Sequence, residues 1–139
     1  VTLIARRHKI ALVKRKFDPR KGYWCPPCGF VDELESLQVA AVRESLEESS
    51  LTVDVYHLPI ATAAPEGVNE NISFFLARSF EGTLRAGDDA EEAGWFSEDD
   101  LPELAFSSHR DVISRWFSKP QVKAWRAAAR LAAVVGIEL

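Results

Sequence analysis

Methionine is absent from the 139 residues, cysteine occurs only twice, and no apolar run approaches the length of a membrane span. Each scarcity excludes something. A transmembrane helix needs about 20 consecutive apolar residues, so none is expected. The opening VTLIARRHKI lacks the layout of a signal peptide. With Val1 in first place and no methionine, a start or a small upstream module is expected to precede this stretch. Two cysteines without a signal peptide argue for a reducing compartment, the cytoplasm, and against a disulfide scaffold. What is present is 47% apolar and 27% charged, an ordinary globular mix, and long enough for one domain with a real core. Neither nucleic acid nor a membrane is expected as a partner.

Both cysteines lie in WCPPCGF, with Cys25 and Cys28 in a Cys-x-x-Cys spacing. A structural zinc site needs four ligands, and His8, His57 and His109 are isolated from the pair and from one another. A thioredoxin-like use needs the pair at a helix N-terminus. Here Pro26 and Pro27 intervene and the next helical pattern starts only near Ser36. The spacing therefore reads as incidental.

The net charge of −4 is unevenly spread. Arg6, Arg7, Lys9, Lys14, Arg15, Lys16, Arg20 and Lys21 crowd the first segment against one acid, Asp18. From Asp32 to Asp54 Arg43 is the only base among many carboxylates. A basic strand facing an acidic helix suits an anionic ligand held through metal ions; two solvated faces of opposite sign fit the charges equally.

Thr2 to Ala5 and Ile10 to Lys16 read as strands joined by a polar turn, and FDPRKG as a loop. Ser36 to about Ser49 is helical, with Ser36 as its start signal and no internal Gly or Pro. LTVDVYHLPIATAA suggests one or two strands and NISFFLARSF another. TLRAGDDAEEAG reads as an acidic loop, GWFS as a short buried strand, and SEDDLPEL as a capped helical turn. Two amphipathic helices follow from about 107 to 135, the second with Pro120 in its first turn. The fold class is α/β (α+β), a mixed sheet sandwiched between helices, in a single domain over 1–139. In the last helix Ala124, Trp125, Ala128, Leu131, Ala132 and Val135 form an apolar stripe expected to cover the domain's own sheet. Left exposed, it would suggest a homodimer.

On the Ser36 helix, at 100° per residue, Val39, Val42 and Leu46 fall together as an apolar stripe. Glu44, Glu47 and Glu48 fall nearly opposite, beside Ala40 and Ala41. Like charges at these spacings repel, and anions in the C-terminal half are disfavoured by the helix dipole. A solvated acidic face usually interleaves bases, and this one has only Arg43. Three carboxylates with small neighbours suit a hard divalent cation.

The longer run from Gly29 through Glu35, Arg43-Glu44 and Glu47-Glu48 to Ser50-Leu51 has Gly, five residues, Glu, seven residues, Arg-Glu, two residues, Glu-Glu. It resembles the signature box of the Nudix hydrolases. The likeness extends to IALVKRK before it, to Trp24 with Pro27-Cys28-Gly29, and to AGDDAEEAGWFSEDDLPELAF after it, as in the ADP-ribose pyrophosphatase-like branch. By this resemblance Cys28 stands where the family has a turn glycine. Ser50 replaces the glycine that usually ends the helix, at roughly 1 kcal/mol if the position is left-handed. Ser45 occupies a usually aliphatic position.

The resemblance implies hydrolysis of a nucleoside diphosphate linked to another group, with two or more Mg2+ or Mn2+ ions. It implies Glu44, Glu47 and Glu48 as metal ligands, joined by the carbonyl next to Gly29 and by an acid near Asp88 or Asp89, with Asp89 the first choice and Glu91 and Glu92 close by. One of these glutamates, or a carboxylate of 88–92, would take the proton from water. Arg43 would orient the glutamates and Glu35 anchor the preceding loop; a purely structural ion pair explains both equally well. Arg15 is a candidate phosphate contact, with a solvated strand charge as the alternative. Trp24, Phe30, Phe75, Trp95 and Phe96 could include a base-stacking surface, although aromatics beside strands are more often core. ADP-ribose or a related ADP-linked compound is the first expectation for substrate, with Pro65 a faint pointer. Competing expectations are an oxidised nucleoside triphosphate, a flavin or nicotinamide dinucleotide, and a nucleotide-binding module without turnover.

Overall fold

The computed structural model describes residues 1–65 and 69–137. Its described residues form two four-stranded sheets and three α-helices. In the first sheet the ten-residue β7 (Ile72–Glu81) is central. It pairs in parallel with β1 (Thr2–Leu3), and antiparallel with β5 (Thr52–Val55) and β6 (Ala61–Ala63). In the second, β3 (Lys9–Arg15) is central. It pairs antiparallel with β2 (Ala5–Arg6), β4 (Trp24–Cys25) and β8 (Ala90–Phe96).

The single strand expected over Thr2 to Ala5 is split. Ile4 is fully buried, and there the chain leaves β7 to start the hairpin with β3, while the Ile4 carbonyl accepts from Ala11 N–H at 2.9 Å. Arg7, at φ 55, makes the hairpin turn. The strand expected only at GWFS begins earlier, at Ala90, so Glu91 and Glu92 lie in β8 rather than in the acidic loop. Glu92 pairs across the sheet with Lys14, and their side chains form an ion pair at 3.4 Å. Opposite charges placed directly across a ladder favour pairing, which offsets the polar look of this segment.

Helix α1 (Leu37–Ser49) starts where Ser36 Oγ accepts from Val39 N–H at 3.1 Å, an N-cap that satisfies one orphan amide. It ends at Ser50, left-handed at φ 64, whose N–H donates to the Leu46 carbonyl at 3.0 Å. The left-handed position anticipated for Ser50 is therefore real. Cys28 is not among the positive-φ residues, so the turn glycine it replaces leaves no backbone strain behind.

The face that α1 buries is not its apolar stripe. Ala40, Ala41, Ser45 and Ser49 are buried, whereas Val39 and Leu46 stay 55% and 51% exposed and only Val42 is partly covered. The helix packs on β5 and across β3, β7 and β8, and small side chains permit that close approach. Ser45 and Ser49 are tolerated there because each hydroxyl donates to a carbonyl one turn back, Ala41 at 2.7 Å and Ser45 at 2.5 Å.

On the other side, α2 (Ser107–Phe117) lays Val112, Ile113, Trp116 and Phe117 on Leu3, Ile10, Leu12 and Phe74. Each such large apolar side chain, fully buried, contributes about 1.5–3 kcal/mol. Helix α3 (Pro120–Val134) touches this core through Val122 and is tied to the turn at 98–100 by Arg126–Glu98 and Arg130–Asp99 pairs. Its apolar stripe does not cover a sheet. Ala132 is buried, but Leu131 and Val135 are 72% and 70% exposed. Among the described residues no helix is long and apolar enough to cross a membrane.

Candidate active site

Two glutamates of α1 meet the turn before it at Cys28 and Gly29. Cys28 N–H donates to Glu48 Oε2 at 3.0 Å. The Glu44 carboxyl lies so close to Gly29 that a Cβ there would stand 2.2 Å from it. Only glycine fits. Glu47, one turn from Glu44, is more exposed and reaches Arg43 at 3.2 Å.

Arg43 is the hub of the acids outside this meeting point. Its Nε and Nη2 grip Glu35 in two hydrogen bonds of 2.8 and 2.9 Å, Nη1 reaches Glu44 at 2.7 Å, and Nη2 also donates to the Phe30 carbonyl at 3.1 Å. Asp32 N–H donates to Glu35 Oε1 at 3.0 Å. Arg43 first, then that amide, holds the Glu35 carboxyl down to about 2, and the same pairing holds the Arg43 guanidinium above its ordinary range. The fork geometry explains why the residue is an arginine.

Glu48 has no such partner. Burial, then the neighbouring Cys28 sulfur, push its carboxyl up to about 8, against the Cys28 amide and the Arg15 charge, which pull the other way. Glu44 is also raised, by burial, despite Arg43. Burial thus holds both carboxyls toward their neutral forms, and a bound cation would favour the charged ones.

The loop at 82–89 is hung from the C-terminus of α1. Arg85, Gly87 and Asp88 amides donate to the carbonyls of Ser49, Glu48 and Glu47 at 3.0, 2.8 and 3.3 Å. These are the orphan acceptors that end a helix. A Cβ on Gly87 would come within 1.6 Å of the Glu47 oxygen. Gly87 was not singled out from the sequence, although a glycine directly before Asp88-Asp89 is the available signal. Asp88 and Asp89 are exposed beside this last turn.

Not all the anticipated groups gather here. Of the eight bases of the first segment, none pairs with an α1 carboxylate among the described residues; Lys14 turns to Glu92. Arg15 donates to the Pro19 carbonyl at 2.7 Å and to Cys25 Sγ at 3.8 Å, with its guanidinium 5.1 Å from the Phe106 ring centre. Trp24 is turned to the α2 core, edge-on to Phe96 at 5.0 Å. Phe75 is buried, and Trp95 lies between Phe80 and the Arg6 guanidinium. Of the five aromatics proposed for stacking, Phe30, 76% exposed, keeps the freest ring. His109 is buried between Phe74 and Phe106, and burial lowers it to about 4.

The NUDIX domain family model matches residues 1–117. The chain is a Nudix hydrolase. It is 40% identical over 121 residues to an ADP-ribose pyrophosphatase of Methanocaldococcus jannaschii, a match covering 82% of this chain and 70% of that one. It is 31% identical over 106 residues to an oxidized purine nucleoside triphosphate hydrolase of Danio rerio, covering 73% and 67%. Among solved structures, a NUDIX hydrolase from Nitrosomonas europaea superposes with TM-score 0.77 at 25% identity, over 86% of this chain and 70% of that one. Nudix hydrolases generally use divalent metal ions. Among the described residues no three His, Cys, Asp or Glu groups already close into a metal cage. The donor chemistry of this Nudix site nonetheless fits such an ion: hard carboxylate oxygens on α1 and a glycine that lets Glu44 come close to the turn.

Proposed function

We propose that this Nudix hydrolase cleaves the phosphoanhydride of a nucleoside diphosphate linked to a second group, ADP-ribose being the first candidate, with Mg2+ or Mn2+. The observation that carries the reading is the convergence of Glu44 and Glu48 on Cys28 and Gly29, with Glu48 in no ion pair among the described residues. Glu44, Glu47 and Glu48, with the carbonyl next to Gly29, would hold two or more ions, and Asp89 would approach from the loop tied to α1. Bound divalent ions neutralise the diphosphate and lower the pKa of the attacking water. The chain's own residues do the rest. Arg43, anchored on Glu35, keeps Glu44 and Glu47 aimed. A glutamate of α1, or Asp88 or Asp89, takes the proton from water. Arg15, tied to the Pro19 carbonyl and Cys25, would have to leave those contacts to reach a phosphate, whereas the exposed Phe30 ring offers a face to a base.

The ADP-ribose reading rests on the relative at 40% identity, and the alternative, an oxidised purine nucleoside triphosphate, on the relative at 31%. A panel containing both, assayed with Mg2+ and with Mn2+, decides between them. ADP-ribose is expected to give AMP and ribose 5-phosphate. Glu48→Gln should cut the rate by about 10²–10⁴-fold while leaving the circular dichroism unchanged; an undiminished rate in that folded variant removes the assignment. The exposed apolar face of α3 supports a homodimer, and a monomeric mass by light scattering at assay concentration excludes it.

A further inference from the structure

Away from the acids of α1, a cavity of about 290 Å³ is lined by Arg6 of β2, Phe80 of β7 and Trp95 of β8, and by the segment 82–84 that follows β7. None of its lining residues belongs to α1 or to the turn at Cys28 and Gly29. No carboxylate lines it and one guanidinium does, so its charge suits an anion. Arg6 lies over the Trp95 indole, 4.7 Å from the ring centre, and Phe80 packs on the same indole at 5.3 Å. That packing holds the cation in place. Among the described residues the Arg6 guanidinium makes no hydrogen bond or ion pair, so its fork of donors is uncommitted.

The segment 82–84 adds donors of a second kind. Gly82, at φ 105, turns the chain out of the β7 ladder. Beyond that turn the amides of Gly82, Thr83 and Leu84 find no backbone acceptor among the described residues. A guanidinium, the Thr83 hydroxyl and a run of unpaired amides are the donors that phosphate oxygens take. Phe80 and Leu84 supply apolar surface for the C–H side of a sugar. Ligand pockets run from about 300 to 1,000 Å³, so this one, at the small end, has room for a sugar phosphate and not for a dinucleotide.

We propose that this cavity binds a ribose 5-phosphate unit, free or as part of a nucleoside monophosphate. The phosphate meets Arg6 and the 82–84 amides, and the sugar lies against Phe80 and Leu84. Both products expected from ADP-ribose carry that unit, so their choice as ligands rests on the function proposed above; the donor set does not. The segment 82–84 runs directly into the amides of Arg85, Gly87 and Asp88 that tie the loop to α1. A bound ligand therefore steadies the root of the loop that carries Asp88 and Asp89.

The test uses the purified protein with a chelator present, which keeps metal-held phosphate away from the α1 acids. Ribose 5-phosphate, AMP and inorganic phosphate are titrated by calorimetry, and backbone hydrogen exchange is mapped with and without each. The expected result is one-to-one binding of ribose 5-phosphate and of AMP, with Kd at or below about 1 mM, and slowed exchange at 82–84. Arg6→Met keeps an apolar stem on the indole without the charge, and should weaken both by about 10- to 100-fold. AMP binding more tightly than ribose 5-phosphate places the purine inside the cavity, and equal affinities leave it in solvent; both support the site. Absence of binding at ~10 mM of either compound overturns it. So does parent affinity in Arg6→Met, or protection that falls on 28–48 in place of 82–84. Inorganic phosphate binding as tightly as ribose 5-phosphate also overturns it, because the apolar surface would then contribute nothing. A protein that binds both compounds as expected but leaves ADP-ribose intact with Mg2+ and Mn2+ sinks the functional reading alone. One that hydrolyses ADP-ribose but binds neither compound under chelation sinks the cavity alone.

Discussion

Arg43 and Glu48 stand five residues apart on α1 and live in opposite electrostatic surroundings. Around Arg43 a single guanidinium answers Glu35, Glu44 and Glu47, and the Glu35 carboxyl is held down to about 2. Around Glu48 a buried carboxyl meets one amide and a sulfur, and rises to about 8. The first is a finished clamp that needs nothing further. The second is an unfinished one, and only a charged ligand completes it. On the proposed function the difference separates residues that shape the site from those that act in it, and it lies in the partners of each acid rather than in its residue type.

The strongest way to break this contrast is Gly29→Ala. The added methyl would stand 2.2 Å from the Glu44 carboxyl, a flexible end that can swing aside. The fold should survive while kcat/KM falls by about 100-fold. An unaltered kcat/KM would mean that the turn at Cys28 and Gly29 is not where the acids act. Arg43→Lys comes next. Lysine cannot reproduce the two-pronged grip on Glu35, so activity should drop by about tenfold and the thermal midpoint should fall. A loss as deep as that of Glu48→Gln would move Arg43 from the clamp into the reaction.

A third measurement reads Glu48 directly. Its folded pKa lies above its ordinary 4.5, so the folded protein keeps this proton longer than the unfolded chain does. Its contribution is therefore fullest below about pH 4.5 and is lost as pH rises toward 8, by up to about 1.4 kcal/mol per unit. Urea unfolding with a chelator present, on the parent protein and on Glu48→Gln, isolates that slope as the difference between them. Equal slopes would erase the contrast with Glu35. The smallest effect is expected at the helix cap just past the acids. Ser50→Gly relieves the left-handed cap and should raise stability by about 1 kcal/mol or less, without altering turnover.

Much of α1 was legible before any coordinates. Ser36 marks its start, the lack of Gly and Pro its continuity, and the spacing of Glu44, Glu47 and Glu48 its acidic side. Its buried face was not legible. Apolarity favoured Val39, Val42 and Leu46, but a helix pressed close against strands of both sheets is selected for small residues, and that requirement belongs to its neighbours. The split at Ile4 was hidden for a related reason, since two-residue strands carry no period to read. Glu91 and Glu92 looked like loop because their partner, Lys14, is distant in sequence. Trp24 and Phe75 were the reverse case: aromatics that could have faced a ligand are spent on packing.

The loop after β7 holds α1 through the amides of Arg85, Gly87 and Asp88 and through the Arg85 carbonyl, which accepts from the Ser50 hydroxyl at 3.2 Å, and at Gly87 a side chain would strike the Glu47 backbone. Ala86, Asp88 and Asp89 contribute no side-chain hydrogen bond or ion pair to that tether. Their identities can therefore be exchanged while the attachment persists. If the loop serves the proposed metal site, these three codons are an adjustable dial mounted on an immovable bracket.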